Sequence, residues 1–251
     1  MESTNPVLSR LDETVRARRG YAPTPVEAVT VDDVVLRTVG LLILTAAVAA
    51  LAWVLVPAGG AVGAALLGTT LAGLVLGLVI SIKRITNPLV ISLYAIVQGV
   101  LLGVASRGFE ALYPGIVVQA VVGTFGVFTG MALLYRARVI RATPRFARLV
   151  LGALFGVIVL SLVNLAVYLI TGRQGLEVYS RTGHVGWLPY VFSLVAITVG
   201  ALTFILDFDA AERAVRAGLP RRYAWYCAFG ILVGLIFLYW QILRLLGYLR
   251  R

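Results

Sequence analysis

The sequence contains one cysteine, one histidine and eleven acidic residues in 251. A single thiol, Cys227, rules out an internal disulfide and a cysteine-based metal cluster. Its place in an apolar run reads as a small buried hydrophobe. The single imidazole, His184, falls in a predicted loop with no carboxylate or thiol beside it, so neither a transition-metal site nor a catalytic constellation can be assembled around it. A phosphate-binding glycine loop and a nucleophile elbow are missing as well. The residues thus point away from an enzyme and away from a resident cofactor. Charge is scarce too, at 13% of residues against 60% hydrophobic.

What is present is apolar length. Mean hydropathy is +0.95, more than a water-soluble domain of this size could bury. Seven apolar segments follow one another, at roughly 35–57, 61–82, 88–106, 115–137, 146–171, 185–208 and 223–249, each near the ~20 residues that cross a bilayer. The fold class is an all-α polytopic membrane protein. Residues 1–34 form a polar tail and 35–251 the transmembrane domain. The tail has no apolar core of a signal peptide. It predicts a short helix over 7–19, and Thr30-Val31-Asp32-Asp33 reads as a helix start, with Thr30 as cap and two acids at the positive end of the dipole. Pro57-Ala58-Gly59-Gly60, Asn87-Pro88, Tyr113-Pro114-Gly115, Ala142-Thr143-Pro144 and Gly218-Leu219-Pro220 punctuate the segments.

The net charge of +11 invites a nucleic-acid reading, but the basic residues lie in short loops and form no face interleaved with stacking aromatics. Sixteen fall in the tail and the second, fourth and sixth connections; three fall in the first, third and fifth. The positive-inside rule then places the N-terminus in the cytoplasm and, with seven spans, the C-terminus outside. Trp53, Tyr113, Trp187 and Tyr248 fit an outer aromatic belt, and Tyr135, Tyr223 and Trp225 an inner one. Small residues at four-residue spacing (Gly73 and Gly77, Gly126 and Gly130, Gly230 and Gly234) predict close helix approach. Gly123, Thr124, Gly126, Thr129 and Gly130 suggest that the fourth segment is the one buried among the others.

Polar side chains inside a membrane are costly and mark candidates for function. Gln98, Gln119, Asn164 and Gln241 could line a path, or bond from helix to helix, the commoner use. Arg244, one helix length from Tyr223, is expected to reach the outer surface. The acids at the end of the sixth segment are the principal candidates. Asp209 faces Arg213 and Glu212 faces Arg216 at i,i+4, so both have local counter-charges. Asp207 lies deeper, with Ala210 and Ala211 at i+3 and i+4. Desolvation there favours the neutral acid, so that Asp207 could bind or block a cation according to its protonation. Alternatively it reaches interfacial water, or pairs with Lys83, Arg84 or an arginine of the 136–148 loop.

The run from Tyr113 to Met131, the run Leu206-Asp207-Phe208-Asp209-Ala210-Ala211-Glu212 and the stretch from Tyr223 to Arg251 resemble bacterial members of the Bax inhibitor-1-like family, the transmembrane Bax inhibitor motif proteins. The resemblance covers about residues 30–251. It implies a seven-helix bundle whose last helix is wrapped by the other six, and a passive, pH-sensitive calcium leak. It also implies an aspartate at the inner end of the sixth helix, paired with a second in the seventh. The first corresponds to Asp207 or Asp209, with Asp207 preferred for its depth. The second has no counterpart, since no acid follows Glu212 and the matching part of the last segment holds Gly230 and Gly234.

Two functions are therefore carried forward. One is an inner-membrane protein that conducts or senses cations, with calcium as a transient ligand, Asp207 and Asp209 at the ion or pH-sensing site, and Glu212, Asn164 and Gln98 as secondary polar residues. The other is a non-conducting partner of other membrane proteins, such as a quality-control protease. A small-solute transporter is disfavoured, because repeated halves with broken helices are not visible.

Overall fold

The computed structural model describes residues 27–56, 61–171 and 186–250. The predicted helix over 7–19, the Pro57–Gly60 turn and His184 lie outside the described residues. Seven helices are long and apolar enough to cross a membrane: α1 (Val31–Leu55), α2 (Ala61–Lys83), α3 (Pro88–Leu112), α4 (Ile116–Arg136), α5 (Pro144–Thr171), α6 (Trp187–Arg216) and α7 (Tyr223–Leu249). The end of the bundle holding the start of α1 and the α2–α3, α4–α5 and α6–α7 connections is called the arginine-rich face below.

The helix starts follow from local chemistry. Thr30 and Asp33 form a reciprocal capping box on α1, satisfying two backbone donors that the helix leaves open. Asn87 caps α3, its side chain accepting from Leu89 N at 2.9 Å, with Pro88 pre-set in the first turn. Gly115, at φ 81°, makes the turn into α4. Here the Glu110 carboxylate accepts from the backbone N–H groups of Gly115 and Val117, the preferred place for an acid at a helix N-terminus. Glycine also ends α6. Gly218 takes φ 61°, and Gly218 N and Leu219 N bond back to Val215 O and Ala214 O at 3.0 and 3.1 Å. Two helices outrun their apolar segments. α6 continues to Arg216 because Asp209–Arg213 and Glu212–Arg216 pair along it at 3.2 and 3.1 Å. α3 continues to Leu112 because Arg107 donates to the carbonyls of Trp53 and Val56 at the end of α1, and Glu110 is engaged by α4.

Helix α7 is the core. Fifteen of its residues are buried, including Ala224, Ala228, Leu232, Leu238 and Leu243. It packs against α1, α3, α4 and α6, while α2 lies mainly on α3 and α5 on α6. The last helix is therefore central, but four helices surround it closely, and α2 touches it through Tyr226, whose hydroxyl donates to Ser81 O. The expectation that α4 is the enclosed helix fails: only Ile116, Ala120, Thr124 and Met131 are buried on it. Gly126 and Gly130 have nothing within 4 Å of where a side chain would begin. The tightest approach is elsewhere, between α1 and α3. A Cβ on Gly99 or Gly103 would stand 2.7 Å from Thr45 O or 2.2 Å from Ala49 O. Backbone contact of that kind needs glycine. Gly73, Gly77 and Gly234 do meet neighbouring side chains, those of Gln98, Tyr94 and Phe204. Outward faces carry Leu36, Ile82, Leu89 and Phe155, all strongly exposed, as a surface covered by lipid requires.

Candidate functional site

Antiparallel packing of α6 on α7 places the acids. Gly200 lies against Phe237, Phe204 against Gly234, and Asp207 against Gly230. Tyr190 and Tyr248 continue the same register, with the Tyr190 hydroxyl donating to Tyr248 O at 2.8 Å. Asp207 thus lies in the α6–α7 contact, about 10 Å along the axis from the start of α7. A Cβ on Gly230 would be 3.5 Å from its Oδ1. The Cys227 thiol is near it on α7, and its neighbours on α6 include Phe204 and Phe208, stacked on one another with Phe204 also edge-on to Phe128 of α4. Asp207 is partly buried. No ion pair is formed with Lys83, Arg84 or the 136–148 arginines among the described residues.

The other two acids have partners. Asp209 pairs with Arg213 at 3.2 Å. Glu212 pairs with Arg216 at 3.1 Å and accepts from the Tyr135 hydroxyl on α4. Both lie nearer the arginine-rich face than Asp207, so the three carboxylates do not share one pocket. The secondary polar residues are scattered. Gln98 is buried on the α2–α3 contact, donating to the Tyr94 hydroxyl at 3.1 Å and lying over Gly73; its Oε1 has no hydrogen-bond partner. Asn164 is buried and engaged on α5. Gln119 is exposed at the opposite end, accepting from Arg250 at 2.9 Å. Gln241 is buried on α7. Arg244 is half-buried near the end of α7. Its Nη1 is buried, and the Tyr190–Tyr248 ring contact of α6 and α7 stands one turn further along α7.

Residues 5–251 match the family described as Bax inhibitor 1 like. The chain belongs to that family. Nearly the whole bundle is Bax inhibitor 1 like, and all seven membrane-length helices fall inside the match. No curated protein matches the chain. Within this Bax inhibitor 1 like bundle, Gly230 of α7 packs directly against the Asp207 carboxylate, and no acid follows Glu212 in the chain, so the second acid implied by the resemblance has no counterpart on α7.

One cluster was not foreseen. The segment 27–30 runs antiparallel to the α6–α7 connection, with Val29 N bonding to Leu219 O and Arg221 N to Glu27 O, both at 2.8 Å, around an Ala28–Pro220 bridge. Arg221 Nε donates to Asp33 at 2.8 Å, its Nη1 to Glu27 at 2.6 Å, and Arg37 pairs with Asp33 at 3.0 Å. The two carboxylates raise the pKa of Arg221 above the ordinary arginine value, so its charge is fixed. Val29 is 2% exposed, an anchor for the segment. The sequence signal was slight: an apolar Val29 before the cap, and an arginine 188 positions after Asp33.

Proposed function

We propose that this protein is a passive cation leak of the inner membrane, with calcium as the favoured ion, Asp207 as the acid that meets it, and the arginine-rich face on the cytoplasmic side. The observation that carries the reading is the placement of Asp207 between α6 and α7, opposite Gly230 and without an ion-pair partner among the described residues. A carboxylate in such a place binds a cation or takes up a proton, since leaving it charged and unpaired is costly. The resulting pH sensitivity would be that of a single acid, because α7 supplies only the Cys227 thiol and Gly230 at this level. Asp209 and Glu212, neutralised by Arg213 and Arg216, would draw cations toward the mouth more weakly.

Calcium efflux from proteoliposomes, measured at acidic and alkaline pH for the wild type and Asp207→Asn, tests this. The expected result is a pH-dependent efflux that falls severalfold in the variant. Equal efflux from both at every pH would remove Asp207 from the mechanism, and wild-type efflux no faster than from empty liposomes would remove the leak itself.

A second reading, a non-conducting partner of other membrane proteins, draws on the bare faces of α4 and α5. Gly126, Gly152 and Gly156 are exposed with nothing packed on them, a surface that suits close approach by another helix. Deleting residues 1–26 and substituting leucine at Gly152 and Gly156 would then abolish co-purification of partners from membranes. A leak channel would keep its efflux.

A further inference from the structure

We propose that the Asp33–Arg221 ion pair, with the strap 27–30 that accompanies it, is a latch that holds α1 to the α6–α7 hairpin and sets how readily water and ions reach Asp207 from the arginine-rich face. The inference rests on the reading of Asp207 as the cation-facing acid and adds the residues that regulate access to it.

The latch adds a tie at the arginine-rich end between α1 and the α6–α7 connection, beyond the packing of α1 on α7. α6 and α7 are joined by a connection whose conformation is fixed at Gly218, φ 61°. Across it, α1 meets α7 along the bundle and α6 only slightly. The strap closes that end. Two backbone hydrogen bonds tie 27–29 to 219–221, and Arg221 spans Glu27 and Asp33 with two different nitrogens. Asp33 is 8% exposed and accepts from Thr30 and from the guanidinium groups of Arg37 and Arg221. Arg37 in turn lies over the Trp225 ring, 5.6 Å from its centre, which carries the contact onto the first turn of α7. Such a network is worth more than an isolated surface pair, because the central carboxylate is shielded and shared.

Geometry connects the latch to the acid. Arg221 precedes α7 and Asp207 faces Gly230, so about 10 Å of helix separates them. Val29 fills the space beneath the latch, in the same apolar cluster as Val34, Phe204, Ile205 and Ala224. Releasing the strap withdraws Val29 from that cluster and uncovers the ends of α6 and α7 on the side from which a cytoplasmic ion would approach. With the strap in place, Val29 stays in the apolar cluster that includes Phe204 and Phe208, the α6 neighbours of Asp207. The latch residues position and cover the acid; they do not contact it.

The test uses the full chain in membrane vesicles, with Cys227→Ala to remove the native thiol and Gly230→Cys as a probe opposite Asp207. The rate of labelling by a small, charged, membrane-impermeant thiol reagent reads access. Arg221→Gln is expected to raise that rate severalfold, since Asp33 retains Arg37 and the fold is kept. A disulfide engineered between Ala28→Cys and Pro220→Cys, formed to completion before labelling in the Arg221→Gln chain, is expected to restore the slow rate. Equal labelling with the latch intact and broken, or fast labelling with the disulfide fully formed, would overturn the proposal. Should Arg221→Gln fold poorly, Glu27→Gln, which removes the exposed half of the Arg221 bridge and leaves Asp33 paired, is expected to raise the labelling rate in the same direction. Labelling is independent of conduction. Absent calcium efflux with latch-dependent labelling would sink the leak and keep the latch; efflux with latch-independent labelling would do the reverse.

Discussion

At the scale of single residues, the energetics of this bundle turn on polar groups that have few alternatives to one another. Ser106 on α3 and Tyr239 on α7 share a buried hydrogen bond of 2.7 Å. Water cannot replace a partner lost there, but the unfolded chain in a membrane also finds partners, so the net value is modest. A double-mutant cycle of Ser106→Ala and Tyr239→Phe, read by unfolding in detergent, is expected to give a coupling of about 0.5–1.5 kcal/mol. A coupling near zero would mean that the bond is not maintained. The Asp207 position was legible in the sequence because it is the one acid of its run without a base at i+3 or i+4. The Asp33–Arg221 pair was not legible. Each residue has a satisfactory local explanation, Asp33 as a capping acid and Arg221 as a topology-setting loop arginine, and only the return of the chain brings them within 2.8 Å.

At the scale of elements, glycine spacing identified close helix contacts only where the structure happened to use them. Gly126 and Gly130 have the spacing of a packing motif yet face open space, whereas Gly99 and Gly103 hold α3 against the backbone of α1. The pattern is the same; the difference is which face of each helix meets a neighbour, which spacing alone does not specify. The two pairs should respond oppositely to substitution. Gly103→Ala places a methyl group 2.2 Å from Ala49 O and is expected to cost about 1–3 kcal/mol through forced separation of α1 and α3. Gly130→Ala meets nothing and is expected to be neutral or to stabilise by up to about 1 kcal/mol through helix propensity. Thermal unfolding of both variants in one detergent checks the contrast, and equal losses would contradict it. Helix ends were easier to foresee. The Thr30 cap, Asn87-Pro88 and the Gly115 and Gly218 turns all stand where their local chemistry placed them.

At the scale of the molecule, seven spans were readable from hydropathy, because apolar length is a property of the sequence itself, whereas the centrality of the last one came only from the family resemblance. The arrangement of the other helices was not readable, since lipid-facing and protein-facing positions are equally apolar in a membrane. This is why α4, rich in small residues, looked enclosed and lies at the periphery. The distribution of arginine makes one further expectation: a C-terminal reporter that is active only outside the cytoplasm is active on this chain, and the same reporter placed after Arg141 is silent. The reverse pattern would invert the orientation and turn the latch face outward.

The placement of the core helix has a consequence for biogenesis. α7 supplies the surface on which α1, α3, α4 and α6 converge, and it leaves the ribosome after all of them. Until it inserts, the earlier helices can be threaded into the bilayer but have nothing to close around. Assembly must therefore wait for the end of this segment, whatever the order of insertion. During that interval the close faces of α1 and α3 are the part of the chain able to pair early, while α6 lacks the α7 surface on which it packs. A chain stopped before Tyr223 would lack the surface on which those four helices converge.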